Sequence, residues 1–239
     1  MIHVLGLLAR GGHGKTTVVN YLRETYGVRI VSLASPLKKI AAAAMGFSDR
    51  QLYGTQEEKE AVDEEGARDA KGRLLSARIF LQKLGTEGIR EYLGSETFCE
   101  GLVHGIRRDY QTIGADPMAS HGPNVVYGVD DMRFPNEASF ICGLDKRPRV
   151  DGSNAIVPPM FGHVLKIVCS DAPPTGNDSH PSEAGVDLVE PRHVSGLVVS
   201  SRALGINHLI GEVERTLGLP EFAGLYGALR ESKKRAGIR

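Results

Sequence analysis

Five short apolar runs punctuate the chain, at residues 3–8 (HVLGLL), 29–33 (RIVSL), 124–130 (NVVYGVD), 164–169 and 196–200. Runs of this length without polar alternation are expected of parallel strands covered on both faces. Helical patterns separate them, at 15–24, from Pro36 through the alanine-rich LKKIAAAAMGF, at 74–92, at 97–108 and at 207–217. Pro36 stands where a first helical turn tolerates it, and Gly27 stands where the first helix should stop. This alternation predicts an α/β fold with a five-stranded, doubly wound parallel sheet and helices on both faces, a three-layer arrangement. Ligands of such sheets sit at the carboxyl ends of the strands. Three segments leave such ends: the loop from Ala9, the turn around Asp131, and the stretch after Cys169.

The remaining segments carry weaker patterns. Residues 48–73 are densely charged and read as an exposed, mobile helix-and-loop segment. Residues 143–160 are rich in proline and read as an irregular excursion, and the last nine residues (ESKKRAGIR) as a frayed basic tail. No internal repeat is visible. The 239 residues suit one domain with inserts, the expected insert being a helical region at 35–108 and a lid-like segment at 171–187.

Charge and cysteine usage narrow the class. Lys and Arg total 29 and Asp and Glu total 29, so the formal net charge is zero. That balance argues against a stable nucleic-acid partner or an anionic membrane, leaving room for a local basic pocket. The three cysteines, Cys99, Cys142 and Cys169, have no metal-ligand spacing, and their odd, sparse count suits a reducing compartment. No segment reads as a signal peptide or membrane span, so a cytoplasmic location is expected.

The strongest chemical signal lies at residues 9–16, Ala-Arg-Gly-Gly-His-Gly-Lys-Thr, which fits G-x-x-x-x-G-K-[ST] apart from Ala9 at the first glycine. A strand before and a helix after supply the context of a phosphate-binding P-loop. Successive backbone N–H groups must wrap phosphate oxygens, which bulky side chains would obstruct, and the helix N-terminus adds partial positive charge. Arg10, Gly12, His13, Gly14, Lys15, Thr16 and Thr17 are the expected triphosphate-binding residues. Lys15 is expected to reach the β- and γ-phosphates and the Thr16 hydroxyl to hold Mg²⁺. His13 is read as a spacer of which only the backbone is needed.

A P-loop alone does not choose between kinases, GTPases and motors. No guanine-reading T-K-x-D-like segment appears, which disfavours a GTPase, and the chain is short for a motor. Arg78, Gln82 and Arg90 fall at helical intervals that put them on one flank, with Gly85 and Thr86 between them. That set suits a phosphate and a base edge; a solvated face with incidental arginines is the alternative. After the third strand, Asp131 and Arg133 offer a metal-side anion and a phosphate clamp, or equally a structural salt bridge.

Together these segments resemble the bacteriophage-type deoxynucleoside monophosphate kinases, a branch of the P-loop nucleoside monophosphate kinases. The matching stretches are the P-loop, Leu33-Ala-Ser-Pro-Leu-Lys38, Leu52-Tyr-Gly with Lys59-Glu60, Arg78-x3-Gln82-x2-Gly85-Thr86-Glu87-x2-Arg90, Asp131-x-Arg133-Phe-x-Asn136-Glu137, and Asp178-Ser-His180-Pro-Ser182-Glu183. The resemblance implies a P-loop NTPase fold, transfer of the ATP γ-phosphoryl group to a (deoxy)nucleoside 5′-monophosphate, and Mg²⁺ held by Thr16 and Asp131. It places Leu37, Lys38, Arg78, Gln82, Gly85, Thr86, Arg90, Arg133 and Glu137 around the acceptor, with Lys15, Arg78, Asp131 and Arg133 as the catalytic set. Small-molecule nucleotides are the implied partners, with a homodimer as the implied assembly, in the host cytoplasm if the gene is a phage's. Two departures stand out: the family's arginine just after strand four is replaced by Cys169-Ser-Asp-Ala-Pro-Pro, and residues 143–160 look inserted. Arg192 and Lys166 are candidate replacements for that arginine. A kinase resembling dephospho-coenzyme A kinase and a non-catalytic nucleotide-binding protein remain the alternatives.

Overall fold

A computed structural model describes residues 1–113, 123–144, 149–150, 156–173 and 181–238. In chain order the elements are β1 (Ile2–Leu8), α1 (Lys15–Tyr26), β2 (Arg29–Val31), α2 (Ser35–Met45), α3 (Asp49–Tyr53), α4 (Gln56–Glu60), α5 (Ala77–Lys83), a π-helical stretch (Leu84–Arg90), α6 (Glu91–Leu93), α7 (Thr97–Ile113), β3 (Val125–Met132), α8 (Pro135–Cys142), β4 (Arg149–Val150), β5 (Ile156–Val157), β6 (Met160–Cys169), α9 (Pro181–Asp187), β7 (Gly196–Ser200), α10 (Gly205–Leu217) and α11 (Ala223–Arg235). Two compact units result, Met1–Ser32 with Gly101–Arg239, and Leu33–Glu100.

The first unit holds a five-stranded sheet in the order β2-β3-β1-β6-β7, every pairing parallel. This is the α/β architecture of a P-loop kinase, as the alternating pattern predicts. All seven residues of the central β1 are buried, because both of its faces are covered. Leu5, Leu7, Val126, Leu165, Ile167 and Val198 meet Val18, Leu22, Leu209 and Val213 of α1 and α10 in one continuous core. Those two helices are also clasped by Glu214, which accepts hydrogen bonds from the hydroxyls of Tyr21 (2.7 Å) and Tyr26 (2.8 Å).

The structure corrects two boundaries in this unit. The basic terminus is not a frayed tail: α11 runs to Arg235, with Leu225, Ala228, Leu229 and Ser232 buried at helical spacing. Its charged residues mask a stripe of three apolar positions and a serine that only the sheet makes worth burying. The excursion at 143–160 ends early, because β6 begins at Met160 and pairs with Ile2. Phe161, Gly162 and His163 weaken its apolar signal. Gly162 is required there, since a Cβ would lie 1.7 Å from the Ile141 carbonyl oxygen of α8. Within the excursion β4 and β5 pair antiparallel, and 145–148 and 151–155 lie outside the described residues.

His3 shows what burial in β1 does to a titratable group. It is 4% exposed, stacked on Phe161 with ring centroids 5.2 Å apart, and its Nδ1 has no hydrogen-bond partner. Burial first, then the neighbouring His163, lowers its pKa to about 4. The folded chain therefore resists a proton that the unfolded chain takes up near pH 6.5, so stability is complete above that pH and falls as pH drops towards 4. The shift corresponds to about 3 kcal/mol. Urea unfolding at pH 7 and pH 4.5 is expected to show most of this loss in the parent and little of it in His3→Phe; equal losses in both would acquit His3.

The second unit is helical. Its core joins Ala41, Phe47, Leu52 and Ala77. The charged segment 48–73 gets its order from local chemistry: capping boxes start α3 (Ser48 with Gln51) and α4 (Thr55 with Glu58). Asp69 then closes the following turn on the backbone and guanidinium of Arg73. The helix predicted at 74–92 is also corrected. It is α-helical only to Lys83 and then widens into seven π-helical residues before α6. Among the described residues no helix is long and apolar enough to cross a membrane.

Candidate active site

At the carboxyl end of β1 the chain turns into the predicted loop, and its geometry follows from residue type. Gly12 (φ 75°) and Gly14 (φ 85°) adopt left-handed backbone that a side chain would disfavour. Ala9 needs no such freedom; it is fully buried, and its methyl group joins the core of the unit. The glycine missing from the motif is therefore replaced by a packing residue. Lys15 opens α1, while the Thr16 side chain is exposed and Thr17 half-buried.

Lys15 is held in an unusual environment. Its Nζ is buried with no hydrogen-bond partner, and burial, followed by the nearby Arg133, depresses its pKa to about 8. Asp131, Asp130 and Glu183 pull in the opposite direction without restoring it. An ammonium held dry and unpaired under a glycine-rich loop is a seat built for an anion that carries its own charge.

Arg133 and the loop are tied together by a residue that the sequence motifs did not place in the site. Glu183, 6% exposed on α9, accepts from the Gly11 N–H (2.8 Å) through one carboxylate oxygen and from Arg133 (2.5 Å) through the other. One turn later Asp187 pairs with Arg10. Lys166 reaches the Val186 carbonyl (3.1 Å), and a Cβ on Gly185 would lie 2.7 Å from the Arg133 carbonyl. The end of the expected lid-like segment is thus docked on the P-loop by a carboxylate pair at i and i+4. Asp178 and His180 of the same motif lie outside the described residues.

Asp131 ends β3 with its Oδ2 accepting from the Ser32 hydroxyl (2.7 Å). Glu137, expected at the acceptor, is instead turned into the protein. It is 2% exposed, and one carboxylate oxygen accepts from the backbone N–H groups of Arg133 (2.7 Å) and Phe134 (3.0 Å). It caps α8 and so fixes the turn that carries Arg133.

His13 is more than a spacer. Its Nδ1 accepts from the Cys169 N–H (3.1 Å), which ties the P-loop to the end of β6. Burial foremost lowers its pKa, which favours the neutral ring that this contact needs. Beside it, a cavity of about 300 Å³ opens between the loop and the β7–α10 connection, lined by Gly14, Thr17, Ser201, Ile206 and Leu209 among others. Asp171 shapes that connection by accepting from the Ser201 hydroxyl and from the N–H groups of Arg202 and Ala203. These bonds, the Arg202 amide first, hold its carboxyl far below the usual range. The Arg202 guanidinium consequently reaches the Gly12 carbonyl (3.0 Å). Neither candidate for the missing cation is at the loop in its place: Arg192 pairs with Glu190, and Lys166 binds α9. Arg202 was legible only as an arginine two residues beyond a strand end.

In the second unit the π-helical stretch decides which residues meet. Gly85 is buried, and a Cβ there would lie 3.0 Å from Leu37 Cδ1, so two expected acceptor residues are in close packing. Lys38 lies 4.4 Å from the centre of the Tyr53 ring, and Arg78 pairs with Glu60 at 3.4 Å. Gln82 and Thr86 are half-buried. Arg90, expected on one flank with Arg78 and Gln82, follows them at the end of the π-helical stretch. It lies over the Phe98 ring (5.2 Å) and reaches the Ser95 carbonyl (3.5 Å).

The oxygen donors for a hard cation are the exposed Thr16 hydroxyl and the Asp131 carboxylate, a donor set that fits Mg²⁺. Among the described residues no cluster of three or more His, Cys, Asp or Glu side chains is placed to hold a metal alone.

No family model matches the chain. It is 32% identical over 181 residues to a protein of Acanthamoeba polyphaga mimivirus that carries a provisional name, deoxynucleotide monophosphate kinase. The alignment covers 75% of this chain and 80% of that protein.

Proposed function

Since the chain belongs to the deoxynucleoside monophosphate kinase family, we propose that it transfers the γ-phosphoryl group of ATP to a (deoxy)nucleoside 5′-monophosphate, giving the diphosphate. The observation that carries the reading is the buried, unpartnered ammonium of Lys15 under a loop with two left-handed glycines.

In this reading the triphosphate lies along residues 10–17, with Lys15 on its β- and γ-phosphates. The cavity beside His13 and Leu209 takes the base of ATP. Thr16 and Asp131 hold Mg²⁺, which would neutralise charge between the phosphates. Arg133, braced by Glu183 and by the Glu137 cap, supplies a fixed cation for the charge that develops on the moving group. Leu37, Lys38, Arg78, Gln82, Gly85 and Thr86 hold the acceptor. No strong general base is required, because the attacking phosphate oxygen is already anionic. Positioning and charge neutralisation then supply most of the acceleration.

Coupled turnover of ATP with a panel of nucleoside monophosphates tests this. Diphosphate formation on at least one deoxynucleotide is expected. Binding of ATP without turnover on any acceptor would sink the kinase reading, and turnover on dephospho-coenzyme A alone would redirect it.

A further inference from the structure

Three cations lie on α5 and on two helices packed against it in the second unit, and the side chains of only two of them have a partner among the described residues. Lys38 is carried by α2, Lys59 by α4 and Arg78 by α5. Lys38 lies on the Tyr53 ring and Arg78 pairs with Glu60. Lys59 is half-buried, and among the described residues its side chain makes neither an ion pair nor a hydrogen bond. Its placement is not accidental. The Thr55–Glu58 capping box starts the short α4, and Arg50 pairs with Glu58 at 2.5 Å, which pins that helix to α3. Burial, then Lys38 and Arg78, push the Lys59 pKa below its ordinary value. Folding therefore holds a half-buried ammonium against two like charges. Such an arrangement opposes folding unless a ligand of opposite sign repays it.

We propose that Lys59 completes an anion seat with Lys38 and Arg78, and that the seat takes the 5′-phosphate of the acceptor nucleotide. The proposal rests on the kinase reading above and adds to it a residue that was expected only as part of a matching stretch. A phosphate dianion has oxygens enough for all three cations, and charge-assisted contacts of this kind are the strong ones. Tyr53 and Glu60 fit the same purpose. Each holds one cation in place weakly enough to let a phosphate compete.

The test is calorimetric titration of the parent and Lys59→Met with each of the four deoxynucleoside monophosphates, and with the matching deoxynucleosides, which lack the phosphate. For the monophosphates that the parent binds, Lys59→Met is expected to weaken binding about tenfold or more. Binding of the deoxynucleosides should change less than twofold. In turnover, the acceptor KM should rise by the same factor, with kcat and the KM for ATP within about twofold, and Lys59→Arg should recover most of the loss. Lys39→Met, an exposed neighbour on α2, should behave as the parent. Because the substitution removes a repelled charge, its melting temperature should not fall. Monophosphate binding unchanged in Lys59→Met, or a lowered melting temperature with weaker binding of the deoxynucleosides too, overturns the seat. A parent that binds none of the four overturns the kinase reading itself, an outcome distinguishable because it appears before any substitution.

Discussion

Replacing Lys15 by methionine is expected to cut turnover at least about a thousandfold and, at the same time, to make the unliganded protein harder to unfold. Both effects come from one observation. The Nζ is buried without a partner, and its pKa is depressed to about 8. A lysine with a folded pKa below its unfolded value opposes folding whenever it is charged. The penalty is fully present below pH 8 and is relieved as pH rises towards 10.5, because only the unfolded chain then keeps the proton. The depression corresponds to about 3 kcal/mol. Lys15→Met retains the aliphatic stem and removes the charge, so it should gain part of that amount at pH 7. Addition of ATP should raise the parent's melting temperature and leave the variant's nearly unchanged. Urea unfolding and nucleotide-dependent melting of the two proteins check this. A variant that is less stable than the parent, or one that still turns over, would mean that Lys15 is not held in reserve for phosphate. The general lesson is a trade of stability for function at a site that keeps its charge dry.

The second large effect is expected at Glu183. Its two carboxylate oxygens hold the Gly11 amide and the Arg133 guanidinium. Glu183→Ala leaves both donors without this partner and frees Arg133 to move. A loss of about 2 kcal/mol in stability is expected, below the range for a fully buried pair because Arg133 is 26% exposed. Turnover should fall about a hundredfold, the scale of losing one preorganised transition-state donor. Glu183→Gln separates the two duties. It can still accept from Gly11, so most of the stability should return, but without the charge it holds Arg133 poorly and kcat should stay low. Glu183→Ala with tighter ATP binding and undiminished turnover would contradict this. The carboxylate would then be competing with a phosphate for the loop rather than positioning Arg133.

Much of this protein was readable from its residues in order. The strand runs announce themselves because buried parallel strands need no polar face, and the P-loop because phosphate wrapping tolerates few side chains. Residues 9–17, Asp131 and Arg133 were therefore placed correctly at strand ends. What failed was reading by spacing. Arg78 and Arg90 are twelve residues apart, about 120° around an ideal α-helix, and the seven π-helical residues at Leu84–Arg90 change that angle in a way the spacing does not record. The α11 stripe failed for a related reason. Three apolar positions followed by a serine among lysines and arginines look like a tail until a sheet lies beneath them.

The chain's sequence by itself determined the five strands of the main sheet to within a few residues, their order of appearance, and the glycine-rich loop between β1 and α1. Those features depend on neighbours within a few residues, and local propensity and hydrophobic periodicity are enough to specify them. Only the tertiary structure decided that Glu183 and Asp187 grip a loop more than 170 residues earlier, and that Arg202 reaches the Gly12 carbonyl. It also decided that Lys15 lies dry and that Lys59 faces two like charges. A charge's partners, and the water it keeps or loses, depend on which distant segments the fold brings beside it. No pattern along the chain records that.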